Sequence, residues 1–189
     1  MHVYDRKAAD TRQRFIDSAF ELFTRQGYRA TSMNEIARHS GGSRANLYLH
    51  FRNKPDIVLA RMRDLEPTFA APFTTLFDEP PATHTRALAW LATMKNLWVE
   101  GRVEFSAIEQ AMGDDEEVAT EWWSMVQRVA HSLPELTANP TRRMHFITLW
   151  MGLDRTFQFV YGRGHTEHED QMLDSLAGQW LALFHQPGR

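Results

Sequence analysis

A capping box followed by a glycine turn is the feature that most constrains the fold of this chain. Ser32 and Glu35 have the spacing at which a hydroxyl and a carboxylate each satisfy a backbone amide at a helix start. A Ser-Gly-Gly sequence at 40–42 then ends that helix after two turns. We therefore predict short helices at about 33–39 and 44–50, joined in the geometry of a helix-turn-helix.

The rest of the chain has the apolar periodicity of helices and lacks the alternation of strands, which predicts an all-α fold. A first helix is predicted at about 6–26, with apolar residues spaced at i, i+3, i+4 and i+7: Ile16, Ala19, Phe20 and Phe23. Gly27 should end it in a left-handed conformation. Pro67, Pro72, Pro80 and Pro81 should end or kink a fourth helix that begins near Asn53. Further helices are predicted at about 83–100, 103–112, 115–132, 140–161 and 167–185.

Charge divides the chain into two parts. Residues 1–63 contain 12 Lys and Arg against 6 Asp and Glu, whereas residues 64–189 contain 9 against 18, so the parts carry +6 and −9. A basic segment joined to an acidic one is expected if only the first approaches a polyanion such as nucleic acid. Chance clustering on a solvated surface would give the same counts.

Several function classes lack their sequence signature. There is no Cys for a disulfide or a thiolate nucleophile, no Gly-x-Ser-x-Gly elbow and no glycine-rich phosphate loop, so we expect no enzyme and no cofactor. The N-terminus lacks the apolar run of a signal peptide, and no apolar stretch approaches about 20 residues. We expect a cytoplasmic protein that makes no membrane contact.

The helix at 44–50 has the side chains that a major-groove helix needs. At its start, Arg44 can pair with guanine, Asn46 can read adenine, and Ala45 can contact a thymine methyl group. Leu47 and Phe51 should face the core, against Ile36, Phe20 and Phe23. Polar groups suited to DNA phosphates are expected at six further positions: Thr31, Ser32, Ser43, Tyr48, His50 and Lys54.

In residues 6–60 the chain resembles the N-terminal domain of the tetracycline-repressor (TetR) family. The matching positions are Gly27-Tyr28, Thr31-Ser32, Glu35-Ile36-Ala37, Gly41, Ser43, Leu47-Tyr48, His50-Phe51 and Lys54. The resemblance implies a three-helix DNA-binding domain at 1–54, followed by an effector-binding and dimerisation domain at 55–189. It also implies a homodimer that binds a double-stranded DNA operator. Gly42 and Ser40 depart from the family's usual small apolar residue and Ala, and we expect looser packing of the turn at Gly42.

The last two long helices are candidates for the dimer contact. The helix at 140–161 is apolar around nearly its whole circumference, so it must be covered on more than one side. The final helix at 167–185 offers a second apolar face. Two such helices from each of two subunits could form a four-helix interface, although the same residues could fill the core of one monomer.

An effector site is harder to infer from the residues. Six Trp, nine Met and twelve Phe favour an apolar effector. The candidate lining residues, each of which could equally belong to the core, are Met94, Trp98, Phe105, Trp122, Trp123, Met125, Trp150, Asp154 and Phe157. Residues 117–123 and 149–156 are similar to the ethionamide-resistance-repressor branch, which implies a long apolar pocket. Asp154 and Arg155 could pair within the protein or meet a polar group of the ligand.

Two other functions remain open. The sequence His165-Thr-Glu-His168-Glu-Asp170 clusters potential ligands of a metal-responsive sensor or hydrolase, but it lies in a predicted loop that offers little support for a fixed site. We therefore expect no metal. The second alternative is a DNA-binding protein without any effector.

Overall fold

The computed structural model describes residues 3–185, and within them the regular structure is entirely helical. The helices, in chain order, are α1 (Val3–Gln26), α2 (Met33–His39), α3 (Arg44–His50), α4 (Lys54–Asp78), α5 (His84–Glu100), α6 (Arg102–Asp114), α7 (Glu116–Ser132), α8 (Pro134–Ala138), α9 (Pro140–Phe157) and α10 (Glu169–His185). A π-helical turn, Gln158–Gly162, follows α9. The all-α prediction is confirmed. None of the described helices combines the length and apolarity that crossing a membrane requires.

The chain forms two compact units. The first unit contains residues 1–65 and 103–122, and the second contains residues 66–102 and 123–189. This structural division differs from the predicted boundary after residue 54, because α4 continues the first unit to residue 65 and α6 also belongs to it. The predicted domains divide the chain by role, and that division stays a prediction.

The core of the first unit is built on α1. Phe15, Ile16 and Phe23 are at most 1% exposed, as expected for one face of a helix whose other side is polar. The inward-facing residues predicted around the helix-turn-helix are all buried: Phe20, Phe23, Ile36, Leu47 and Phe51. Gly27 ends α1 at a φ of +87°, which confirms the predicted left-handed cap.

Aromatic rings form much of the core of the second unit. The ring of Trp180 lies 4.7 Å from that of Trp90, and Phe73 lies 4.4 Å from Trp150, measured between centroids. Trp180 and Phe73 are completely buried. Aromatic pairs at such separations contribute stabilisation beyond the area that they bury.

The prolines of α4 do not end the helix. It runs through Pro67 and Pro72 and ends at Asp78, just before Pro80 and Pro81. An internal proline costs about 3 kcal/mol because it removes one backbone hydrogen bond and crowds the preceding turn. Burial of Phe73 and Leu76, immediately beyond the second proline, can offset that cost.

The helix predicted at 140–161 is interrupted near its end. After Phe157 the backbone widens into the π-helical turn, and the Arg163 amide donates to the Gln158 carbonyl at 3.0 Å. A Cβ at Gly162 would lie 2.9 Å from the Trp98 ring, so only glycine fits without a shift of that ring. This turn and the short α8 were not predicted, because neither has the length that makes periodicity visible.

Candidate nucleic-acid interface

The capping box of α2 forms as predicted. The Ser32 amide and hydroxyl donate to Glu35 Oε2 at 2.8 and 2.7 Å, and the Glu35 amide donates to Ser32 Oγ at 3.3 Å. The hydrogen bond from the Ser32 hydroxyl is the main reason that the pKa of Glu35 is lowered. Both donors of Ser32 are therefore engaged, and a phosphate would have to replace the Glu35 carboxylate to accept from them.

Serine side chains also fix the turn between α2 and α3. Ser40 Oγ donates to the Ala37 carbonyl at 2.8 Å and accepts from the Gly42 amide at 3.3 Å. Ser43 caps α3 by accepting from the Asn46 amide at 3.1 Å, which leaves its own hydroxyl proton free to donate outward. Gly41 has a φ of +70°, a conformation that glycine adopts without strain.

The expected loose packing at Gly42 is wrong. A Cβ added there would lie 2.8 Å from Phe15 Cε1, closer than real Cβ contacts. The glycine lets the turn approach the Phe15 ring of α1 closely.

Helix α3 exposes the residues predicted to read bases. Arg44 and Ala45 are exposed and Asn46 is half-buried at the start of the helix. The Arg44 guanidinium carbon lies 5.4 Å from the centroid of the Tyr48 ring, which is 42% exposed. A cation over an aromatic face is held in place while its N–H groups remain available.

Leu49 was missed in the sequence analysis. It is 83% exposed on α3, one turn after Ala45 on the same helix face. The signal was available, because residues four apart on a helix share a face and Ala45 had already been assigned to a base methyl group.

Three predicted phosphate contacts sit in more constrained positions than expected. His50 is half-buried, with its ring 5.8 Å from that of Phe15. Lys54 Nζ donates to the Tyr28 carbonyl at 2.7 Å and lies 4.2 Å from the centre of the Tyr28 ring, and burial lowers its pKa. Thr31 is 2% exposed, and its hydroxyl donates to the Gly27 carbonyl at 2.9 Å. The Thr31 side chain therefore closes the turn after α1, and we withdraw it from the expected contacts.

Comparison with known proteins identifies the family that this helix-turn-helix is similar to. Residues 15–60 match the family model of bacterial regulatory proteins, tetR family. The HTH-type transcriptional regulator AcrR of Shigella flexneri is 43% identical over 51 residues, which cover 27% of this chain and 24% of that protein.

Residues 15–60 form a TetR-type helix-turn-helix domain. The fold is similar to that of solved TetR-family regulators over about nine tenths of the chain. A TetR family transcription regulator from Marinobacter aquaeolei matches 94% of this chain and 97% of its own, with a TM-score of 0.63 and 16% identity. The fatty acid degradation regulator FadR of Bacillus halodurans matches 89% of this chain and 97% of its own, with a TM-score of 0.63 and 15% identity.

The predicted effector residues are divided between the two units. Phe105 and Trp122 belong to the first unit and the other seven to the second. Five of those seven are buried: Met94, Trp98, Met125, Trp150 and Phe157. Trp123 is 41% exposed, and Asp154 is half-buried.

An open groove of about 580 Å³ on the second unit has none of the predicted effector residues in its lining. It lies along α9, the π-helical turn and α10 and includes Arg155, Phe159 and Met172. The Arg155 guanidinium lies 5.0 Å from the centre of the Phe159 ring. Arg155 is therefore engaged with a ring on its own segment.

The histidine cluster does not assemble a metal centre. His165 Nδ1 lies 3.8 Å from Glu167 Oε1. Across the part of the chain that the structure describes, no three His, Asp or Glu side chains are grouped to hold a metal ion.

Proposed function

We propose that this chain is a transcriptional regulator that binds a palindromic DNA operator as a homodimer and responds to a small apolar effector. The observation that carries the proposal is the exposed start of α3, where Arg44 and Ala45 stand free of the core beside the half-buried Asn46. A DNA-reading role also implies a cytoplasmic location, and repression is the expected mode by resemblance to the family.

Base reading is assigned to one face of α3. Arg44 is proposed to pair with guanine and Asn46 with adenine, because their donor and acceptor groups match those base edges. Ala45 and the exposed Leu49 would contact thymine methyl groups, which are the only apolar groups that bases present in the major groove.

Phosphate contacts are assigned to groups around that face. Ser43 offers its hydroxyl proton, and Tyr48 and His50 lie on α3 itself. Lys54 acts mainly through its charge, since its ammonium group already donates to the Tyr28 carbonyl. Ser32 contributes only if a phosphate replaces Glu35 at its two donors.

Pairing of subunits is assigned to the outer faces of α9 and α10. Exposed residues of α9 recur at helical spacing and include Met144, Thr148, Met151, Gly152 and Arg155. Exposed residues of α10 with the same spacing include Gln171, Met172, Ser175, Gly178, Gln179 and Ala182, and Asp170 and Asp174 of this helix are exposed as well. A Cβ at Gly152 or Gly178 would meet nothing within 4 Å. Exposed methionines beside open glycines suit close packing against a second copy.

The effector is proposed to be apolar because aromatic and Met side chains dominate the predicted lining. The effector-free alternative has support of its own, because five predicted lining residues are buried. Placement in the ethionamide-resistance-repressor branch stays a prediction. A rise in melting temperature with aromatic or fatty-acyl compounds would favour an effector site, and a flat response across such a library would favour the alternative.

Selection of DNA from a random duplex pool tests the reading role. The wild-type protein should enrich a palindrome whose half-site centres are one helical turn, about 34 Å, or a multiple of it apart. Arg44→Ala combined with Asn46→Ala should abolish the enrichment, whereas Arg25→Ala, which alters a cation near the end of α1, should retain it. An unchanged motif from the double variant would contradict the assignment of bases to α3.

A further inference from the structure

A pocket beside α3, the helix proposed to read bases, is lined by carboxylates as well as cations. It encloses about 580 Å³, opens to solvent and lies within the first unit. Its lining includes the proposed phosphate contacts Tyr48 and Lys54 together with Arg29, Asp114 and Asp115. A polyanion approaching Tyr48 therefore meets acidic groups from the junction of α6 and α7.

Arg29 is the most exposed cation of this pocket, and it is paired. Its Nε donates to Asp114 Oδ2 at 3.2 Å, and its Nη2 donates to Asp114 Oδ1. The Arg29 side chain is 86% exposed, whereas that of Asp114 is 22% exposed. The guanidinium beside Asp114 lowers the pKa of that carboxyl, so it is ionised at neutral pH.

Arg52 is held in a similar way at the other side of the pocket. Its guanidinium donates twice to Asp56 at 2.8 Å, and Nη2 lies 3.8 Å from Glu117 Oε1. The side chain is 78% exposed, so it borders solvent on the side of α3. Arg52 follows the last residue of α3 by only two positions.

Charges of both signs meet at the pocket. Its lining contains three cations, Arg29, Arg52 and Lys54, and two carboxylates, Asp114 and Asp115. Asp56 and Glu117 pair with Arg52 from outside the lining. The carboxylates of residues 114–117 therefore lower the positive charge that a phosphate would meet there.

The junction is attached to the turn after α1 by neutral groups as well. The Tyr28 hydroxyl donates to Asp115 Oδ2 at 2.6 Å, and the Tyr28 amide donates to Gln110 Oε1 at 3.0 Å. These bonds keep Asp114 within reach of Arg29. Their loss would release the carboxylates of the junction from the pocket together.

We propose that Arg29 and Arg52 are further DNA-phosphate ligands, and that Asp114 and Glu117 are intramolecular competitors that occupy them when DNA is absent. The proposal rests on the DNA-binding function proposed above. Exposed ion pairs contribute little, so closely spaced phosphates can displace these carboxylates. The junction thereby sets DNA affinity without touching a base.

The salt dependence of DNA binding tests whether Arg29 and Arg52 bind phosphates. Each phosphate contact contributes about 0.9 to the slope of log affinity against log salt concentration. Arg29→Gln and Arg52→Gln should each reduce the slope on a random-sequence duplex by about that amount. Arg25→Gln, which removes a cation lining a different pocket with Asp17 and Glu21, should leave the slope nearly unchanged. Thermal unfolding verifies that each variant is folded.

Neutralising single carboxylates at the junction of α6 and α7 tests whether Asp114 and Glu117 compete with DNA phosphates. Asp114→Asn and Glu117→Gln should each tighten binding at about 100 mM salt by about two- to fivefold, the range expected for relief of an exposed pair. The matched control Glu116→Gln removes the same charge from an exposed neighbouring position and should change affinity less than twofold. In the Arg29→Gln background, the gain from Asp114→Asn should disappear.

The outcomes separate this inference from the proposed function. If the wild-type protein binds duplex DNA but the slopes of Arg29→Gln and Arg52→Gln equal its own, the two cations are not phosphate ligands. Equal gains from Asp114→Asn and Glu116→Gln would show a general charge effect and contradict the competition. A wild-type protein without salt-dependent DNA binding would overturn the proposed function itself, and this inference with it.

Discussion

Leu49 on α3 is 83% exposed, whereas Trp180 on α10 is completely buried, and the two residues show how differently the two units use apolar side chains. In the helix-turn-helix, a small buried core holds polar and apolar groups out toward solvent. In the second unit, large rings pack on one another, and three of its exposed apolar residues, Met144, Met151 and Met172, are methionines. Abundance of aromatic residues thus indicates a ligand pocket poorly, because a core needs the same residues.

The largest expected effect concerns the core of the second unit. Trp180→Ala should lower the free energy of unfolding by about 3–5 kcal/mol, because the cavity left among the rings cannot collapse fully. Denaturant unfolding followed by circular dichroism measures it. A loss below about 1 kcal/mol would show that Trp180 borders an open space, and the contrast with the first unit would fail.

Conservative changes sharpen the same point. Trp180 Nε1 is buried without a hydrogen-bond partner among the described residues, whereas Trp90 Nε1 donates to the Pro72 carbonyl at 3.0 Å. Trp180→Phe should therefore stay within about 1 kcal/mol of wild type, and Trp90→Phe should cost about 1 kcal/mol more because it removes the hydrogen bond to the Pro72 carbonyl. The reverse order would mean that the Trp180 indole has a partner.

The next largest expected effect on stability concerns packing at the turn between α2 and α3. Gly42→Ala should cost about 1–3 kcal/mol, since its Cβ would overlap the Phe15 ring. Gly113→Ala is the matched control, because a Cβ there meets nothing within 4 Å and α6 gains helix propensity. Equal stabilities of the two variants would show that the turn is as loose as the sequence had suggested.

A smaller effect tests whether exposed Leu49 acts on DNA. Leu49→Ala should weaken binding to the selected operator by about fivefold, the loss expected for one apolar contact of methyl size. Replacing thymines by deoxyuridine removes only methyl groups, and at the contacted position it should no longer affect the Leu49→Ala variant. Additive losses at every thymine would place Leu49 away from the bases.

The smallest effect is electrostatic. The hydrogen bond from Arg52 is the main reason that the pKa of Asp56 lies below its ordinary 3.8. Because the folded-state value is depressed, this stabilisation is present above the ordinary value and is lost as the pH falls through the folded-state value. Asp56→Asn should remove at most about 1 kcal/mol at pH 7, given the exposed partner, and nothing well below pH 3. An equal loss at both pH values would assign the effect to packing.

The helix-turn-helix could be predicted from the sequence better than the remainder of the protein, for physical reasons. The capping box and the glycine turn are local, so Ser32, Glu35 and Gly27 could be assigned from spacing alone. The close approach of Gly42 to Phe15 and the burial of Thr31 depend on tertiary packing, which no local pattern contains. Residues 114–117 are four consecutive acidic residues whose partners no local pattern indicates, and only the fold brings Asp114 against Arg29. Helix α4 shows the same limit, because burial overrides its two prolines.

The base preferences of the Arg44→Ala variant test the central claim most directly. Affinities of wild type and variant are measured for every single-base change of the selected operator. Loss of an arginine that pairs with guanine should relax the preference at one position in each half-site, related by the operator's symmetry, at a cost of about 1–3 kcal/mol per contact. Uniform weakening at all positions, with every preference retained, would contradict base reading by α3.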